Sequence, residues 1–174
     1  MEPSGLKERN YSLLIYDELE EYEEVLGFID TALKQEPTNC HLFNNRSIAL
    51  SEIGRWREAE EAIKRAVELA PESASIRQNY ARLLKSTDRE PGALAELSRS
   101  IAMAPNEPYP VRLRASWHEE AGRASEAISD LTAAIALDPE FKQSFIERGK
   151  LYRAIGRAEE AQSDFDAADK LTRR

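Results

Sequence analysis

The sequence predicts an all-α protein, an α-solenoid of five helix-turn-helix repeats, and three observations lead to this fold class. Proline recurs at a constant interval of 34 residues, at Pro37, Pro71, Pro105 and Pro139. Small and bulky apolar residues return at matching positions between those prolines. Glycine stands near the middle of most intervals, where a chain that leaves a helix takes a left-handed conformation most easily. A fixed period of this length is the sequence signature of a repeat protein.

The prolines divide the chain into five blocks, and each block reads as one helix, a tight turn and a second helix. The blocks are 6–39, 40–73, 74–107, 108–141 and 142–174. The domain prediction is therefore a single array over residues 1–174.

The second helix of each block carries two small residues seven positions apart, with a bulky apolar residue between them. The first small position holds Val25, Ala59, Ala93, Ala127 and Ala161, the second holds Ala32, Ala66, Ser100, Ala134 and Ala168, and the bulky position holds Ile29, Ile63, Leu97, Leu131 and Phe165. Residues seven apart share one helix face. Small side chains on that face allow a neighbouring helix to approach closely, so the pattern predicts packed helical hairpins.

The first helices and the turns repeat as well. A small residue recurs in the first helices, as Ser47, Ala81, Ala115 and Gly149, and the turn position holds Gly54, Asp88, Gly122 and Gly156. Where Asp88 replaces the glycine, Pro91 follows at a first-turn position of the next helix, where its missing N–H does no harm.

These blocks resemble tetratricopeptide repeats over about the whole chain from Leu6 onward. The resemblance implies a right-handed superhelix whose concave face is lined by the first helices and binds a protein or peptide partner. The position at which that family has leucine holds Arg46, Arg114 and Arg148 here. Our interpretation is that their apolar stems are buried while the guanidinium groups reach water.

The two ends of the chain depart from the pattern. Up to Asn39 there are ten acidic and three basic residues, a charge of −7 within a total of −8. The acidic stretch 17–24 is interpreted as the first inter-helix turn, with Tyr22 aligned to Trp56. At the other end, Gln162 and Asp169 replace apolar residues that face the next block elsewhere. We therefore expect the last helix to be its own polar cap and the array to be complete.

The concave face offers two sets of candidate binding residues. Asn45 and Asn79 lie 34 apart, and their amides could grip the backbone of an extended ligand; the alternative is two solvated polar residues. A basic set could bind a ligand carboxylate, or could equally form a solvated helix face. That set is Arg82, Lys85, Arg112, Lys150 and Arg153. Toward the other end, Asp17, Glu18 and Glu52 offer acidic groups.

One specific function of the resembled family is disfavoured. Members that clamp the C-terminal carboxylates of heat-shock chaperones use a lysine and an asparagine one turn apart, an asparagine in the next block, then a lysine and an arginine. Placing this pattern at the first or second block recovers only its middle asparagine, Asn45 or Asn79. Chaperone-tail binding of that type is therefore not expected.

The sequence also argues against an enzyme and against a cofactor. Only two histidines are present, His41 and His118. The stretch HEEAG begins like a zinc-protease motif, but Gly122 stands where the second histidine is required. His118 is interpreted as a packed or half-buried residue. We expect no catalytic residue, metal or cofactor.

The composition argues against further classes of function and location. A net charge of −8 opposes nucleic-acid binding, which depends on neutralising phosphates. No apolar run is long enough to span a bilayer, and no secretion signal is evident, so a cytoplasmic location is expected. Cys40 is the only cysteine, which excludes an intrachain disulfide.

The leading hypothesis is a non-catalytic protein-interaction module, an adaptor or chaperone-like binder, that is a monomer or a weak homo-oligomer. The second hypothesis is a structural subunit that oligomerises through its convex face or its ends. The third is an RNA-binding helical-repeat protein, which the acidic charge and the regular alanine and proline positions oppose.

Overall fold

The computed structural model describes residues 21–172, and within this range all regular structure is helical. We number the helices in chain order. They are α1 (21–35), α2 (Cys40–Glu52), α3 (Trp56–Leu69), α4 (Ala74–Ser86), α5 (Glu90–Met103), α6 (Pro108–Glu120), α7 (Ala124–Leu137), α8 (Lys142–Ala154) and α9 (Ala158–Thr172). The all-α prediction is confirmed. The predicted first helix of block 6–39 and half of the acidic turn lie outside the described residues, whereas residues 21–24, including Tyr22, lie in α1.

Local chemistry explains where α2, α4 and α6 begin. The side chain of Asn39 caps α2 by accepting hydrogen bonds from the backbone N–H groups of His41 and Leu42, at 3.0 and 3.3 Å. Ser73 caps α4 in the same way through Ile76. Pro108 opens α6, at the position where a missing N–H costs nothing. Helix starts at Cys40, Ala74, Pro108 and Lys142 are 34 residues apart.

The four turns inside the hairpins α2–α3, α4–α5, α6–α7 and α8–α9 share one conformation. The turn residue has φ of 74° at Gly54, 56° at Asp88, 71° at Gly122 and 82° at Gly156. In each turn the next residue is arginine, and its N–H donates to a carbonyl five residues earlier at 2.8 to 2.9 Å. This closure is the Schellman arrangement, which satisfies a carbonyl that the ending helix leaves free.

The described chain forms two compact units, and the first extends to Glu96. Its core gathers α1 to α4 around the fully buried side chains of Leu50, Ile63 and Ile76. Ala59 and Ala66 are also fully buried, at the small positions of the second helix. The small residues thus lie at helix contacts, as the pattern predicts.

The second unit begins at Leu97 and contains α6 to α9. Its core includes Ala127 and Leu131, both nearly inaccessible. In the last hairpin, Gly149 lies directly under the ring of Phe165. A Cβ built at Gly149 would stand 2.8 Å from Phe165 Cε1. The larger residue at the bulky position is accommodated because its neighbour has no side chain.

Two of the recurring arginines correct our interpretation of that position. Arg148 donates to both carboxylate oxygens of Asp164, at 2.9 and 2.7 Å, and to the hydroxyl of Thr132 at 3.0 Å. Arg114 holds Asp130 and Ser98 in the same way. The expectation that these guanidinium groups reach water is wrong, because buried aspartates sixteen residues further along the chain bind them. The carboxylates raise the pKa of both arginines.

A compensating exchange occurs in the first unit. Tyr80 takes the arginine position of α4, while Arg77 takes a position that holds phenylalanine in α2. Arg77 Nη1 then pairs at 2.9 Å with Glu96, the acidic residue equivalent to Asp130. Arginine and aromatic residue have exchanged positions, and the buried carboxylate still has its cation.

Candidate ligand-binding cleft

A polar cleft lies between the two consecutive first helices of the first unit, α2 and α4. It has a volume of about 130 Å³. Its walls are Ser47, Ile48, Ser51 and Glu52 from α2, and Asn79, Arg82, Leu83 and Ser86 from α4. The four α4 residues lie at positions i, i+3, i+4 and i+7, so they form one stripe along the helix.

The floor of the cleft contains a hydroxyl group without a partner. Ser47 is 3% exposed. Its side chain makes no hydrogen bond with any described residue, whereas its backbone carbonyl accepts one from Ser51 Oγ at 2.8 Å. Because Ser47 lines the cleft and its hydroxyl makes no internal hydrogen bond, this hydroxyl is available to a group that enters the cleft.

The two walls carry opposite charges that are also without internal partners. Arg82 and Glu52 are both exposed, and neither makes an ion pair or hydrogen bond with another residue of the range 21–172. Most other arginines in that range are held by carboxylates. These are Arg46, Arg55, Arg65, Arg77, Arg89, Arg112, Arg114, Arg148 and Arg157.

The two predicted asparagines lie in this region but do not bond to each other directly. Asn79 lines the cleft, but Asn45 does not. Asn79 Nδ2 donates to Asn44 Oδ1 at 2.9 Å, and Asn44 Nδ2 donates to Asn45 Oδ1 at 3.3 Å. The two predicted residues are thus joined through Asn44, which the 34-residue spacing did not single out.

The basic candidates are divided between the two units. Arg82 lines the cleft, and Lys85 is half-buried nearby on α4, where it has its own internal interaction. In the second unit, Arg112 pairs with Asp138 at 3.3 Å and stacks 3.9 Å from the ring centre of Phe141.

Two further basic candidates lie on α8 of the second unit. Lys150 is exposed, and Arg153 lies 5.5 Å from the ring centre of Phe165. Of the seven candidate residues, the cleft therefore brings together only Asn79 and Arg82.

Sequence reasoning missed the serines of the cleft. Ser47 was assigned to helix packing, and Ser51 and Ser86 were not singled out. One signal was present: the position of Ser47 holds alanine or glycine in the later blocks, so packing alone does not require its hydroxyl.

Outside the cleft, His118 and Glu60 are held internally, whereas the buried Ser144 hydroxyl of α8 makes no hydrogen bond with any described residue. His118 Nδ1 accepts a hydrogen bond from Arg123 Nε at 3.0 Å, and burial lowers the pKa of His118. Glu60 binds Arg89 and Lys64, whose hydrogen bonds lower its pKa from 4.5 to about 2. Between residues 21 and 172, no three His, Cys, Asp or Glu side chains are grouped to hold a metal ion.

The repeated hairpins and the cleft between successive first helices define an all-α repeat solenoid, a class that uses extended surfaces for binding. Models of the tetratricopeptide repeat match residues 50–116 and 113–173, which together span more than half of the sequence. The chain belongs to the tetratricopeptide repeat family.

Several solved structures share this fold. A crystal structure of MamA has a TM-score of 0.77 at 20% identity, covering 99% of this chain and 96% of that one. MamA from Desulfovibrio magneticus RS-1 has a TM-score of 0.74 at 20% identity, covering 98% of both chains. YrrB, described as a TPR protein with an unusual peptide-binding site, has a TM-score of 0.67 at 20% identity, covering 93% of this chain and 83% of that one. No curated protein matches in sequence.

None of the helices that the structure describes combines the length and the apolar character that a membrane span requires.

Proposed function

We propose that the protein is a non-catalytic protein-interaction module that binds a peptide or helix of a partner along its first helices, with the α2–α4 cleft as its principal contact. Hydrogen-bonding groups without internal partners in an open cleft carry this proposal. Ser47, Glu52 and Arg82 all lack side-chain partners in the described part of the chain. Because these groups line the cleft and have no internal partner, they are free to bond a ligand.

The remaining candidates extend the proposed binding surface. Asn45 adjoins the cleft through Asn44, and Lys85 lies further along α4. Arg112, Lys150 and Arg153 would offer further contacts on the first helices of the second unit. In this role the protein acts as a cytoplasmic adaptor or chaperone-like binder without a cofactor, and nucleic acid is not its ligand.

A selection from a random dodecapeptide library tests the proposal. The full chain is the bait, and the affinity of the best synthetic peptide is measured by fluorescence anisotropy. Asn79→Ala should weaken binding about three- to tenfold, because an amide hydrogen bond contributes about 0.5–1.5 kcal/mol. Asn106→Ala is the matched control, since Asn106 is exposed and does not line the cleft. A library that yields no peptide above background, or equal affinities for all three proteins, would contradict the proposal.

A further inference from the structure

The charges of the cleft indicate what kind of segment it takes. Glu52 and Arg82 stand on opposite walls, and their charged atoms are not within the 4 Å of an ion pair. Elsewhere in the first unit, opposite charges at a helix contact do pair, as Arg46 does with Asp30 and Arg89 with Glu60. The cleft therefore presents one free cation and one free anion with space between them.

The cleft is small. Its volume of about 130 Å³ is about the room that one side chain needs. An extended segment can insert one residue and lay its neighbours against the walls.

The floor favours a carboxylate as that inserted group. The Ser47 hydroxyl can donate a hydrogen bond, and the Arg82 guanidinium can add charge-assisted ones. The Ser51 hydroxyl already donates a hydrogen bond to the Ser47 carbonyl. An ammonium group on the floor would face the Arg82 cation, and would find its only counter-charge at Glu52.

We infer that the α2–α4 cleft binds an extended protein segment carrying an acidic and a basic residue close together, with the acid at Arg82 and Ser47 and the base at Glu52. The inference rests on the proposed function, because it names the ligand class of the same cleft. It assigns Arg82 and Glu52 as the residues that determine specificity.

The peptide selection is run in parallel on wild type, Arg82→Glu and Arg57→Glu. Arg57 is the matched control, because it too is an exposed arginine without an internal partner in the described chain, but it lies on α3 outside the cleft. Wild type and Arg57→Glu should enrich the same peptides, which carry an acidic residue near a basic one. Arg82→Glu should lose them.

Affinity measurements on one enriched peptide sharpen the test. Arg82→Glu should weaken binding about tenfold or more, and replacing the acidic residue of the peptide by lysine should restore most of that loss. Ser47→Ala should weaken binding about threefold. This variant should remain folded, since the same position holds alanine at Ala81 and Ala115.

Two results separate the inference from the proposed function. Enriched peptides without the charge pattern, or an unchanged affinity for Arg82→Glu, would overturn the inference while peptide binding itself stands. A selection that enriches nothing on any of the three baits would overturn both.

Discussion

Arg82 of the first unit differs from the paired arginines of the second unit. In the second unit, Arg114 and Arg148 are bound by both oxygens of a buried aspartate, and Arg112 is paired and stacked on an aromatic ring. In the first unit, Arg82 stands in an open cleft without such a partner. The same residue type therefore serves packing where a carboxylate holds it and remains available to a ligand where none does.

Removing a packing arginine should have the largest effect. Arg148→Leu leaves the carboxylate of Asp164, which is 5% exposed, without its counter-charge. We expect a loss of about 3 kcal/mol in the free energy of unfolding, measured by urea denaturation. Arg82→Leu should change that free energy by less than about 0.5 kcal/mol.

A double variant checks the cause of that loss. Adding Asp164→Ala to Arg148→Leu removes the unpaired carboxylate and should recover much of the stability. Equal losses for Arg148→Leu and Arg82→Leu would erase the contrast between the two units.

Substitution at the contact between Gly149 and Phe165 should have the next largest effect on stability. Gly149→Ala should cost about 2 kcal/mol, because its new Cβ would meet the phenyl ring. Phe165→Leu creates the bulky residue of the neighbouring blocks, and in that background the added cost of Gly149→Ala should be much smaller. Additive losses in a double-mutant cycle would show that the ring and the Cβ do not meet.

The turn residues Gly122 and Asp88 should respond to substitution with opposite signs. Gly122 has φ of 71° and open space around its Cα, so Gly122→Ala should cost about 1 kcal/mol through backbone strain alone. Asp88 already carries a side chain at φ 56°, and Asp88→Gly should gain about 0.5 kcal/mol. Thermal midpoints check both signs, and a shift in the same direction for both would contradict the explanation.

The smallest expected effect is the pH dependence of the stability that Glu60 contributes. Since the pKa of Glu60 falls from 4.5 to about 2 on folding, its stabilisation is fully present above pH 4.5 and is lost as the pH falls towards 2. Glu60→Gln should cost about 0.5–1 kcal/mol at pH 7 and less at pH 2.5. Glu61→Gln is the control, as Glu61 is exposed on the same helix. A cost for Glu60→Gln that does not depend on pH would rule out this linkage.

The sequence predicted helix positions better than it predicted contacts. The 34-residue period anticipates helices that begin at Cys40, Ala74, Pro108 and Lys142, because caps and turn residues act locally. Asn79 binds Asn44 and not Asn45, because neighbouring helices pack with an offset that periodicity alone does not determine. The cleft also depends on which charges remain unpaired, and that is a property of three-dimensional neighbours.

The arginine pairs could have been found from the sequence. An aspartate follows both Arg114 and Arg148 by sixteen residues, and Arg77 and Tyr80 are exchanged relative to Phe43 and Arg46 of the preceding block. A pattern of single positions does not reveal this link between two positions. Two residues of one block that both differ from the repeat pattern, as Arg77 and Tyr80 do, are more informative than one such residue.

The arginine pairs of the second unit also affect how this unit unfolds locally. Arg114 joins α6 to α5 and α7, and Arg148 joins α8 to α7 and α9, so α7 takes part in both three-helix connections. Separating α6 from α7 breaks the Arg114–Asp130 ion pair, and separating α8 from α7 breaks the Arg148–Thr132 hydrogen bond. Amide hydrogen exchange should therefore be slowest in α7, and the flanking helices should exchange in one cooperative step and not by fraying hairpin by hairpin.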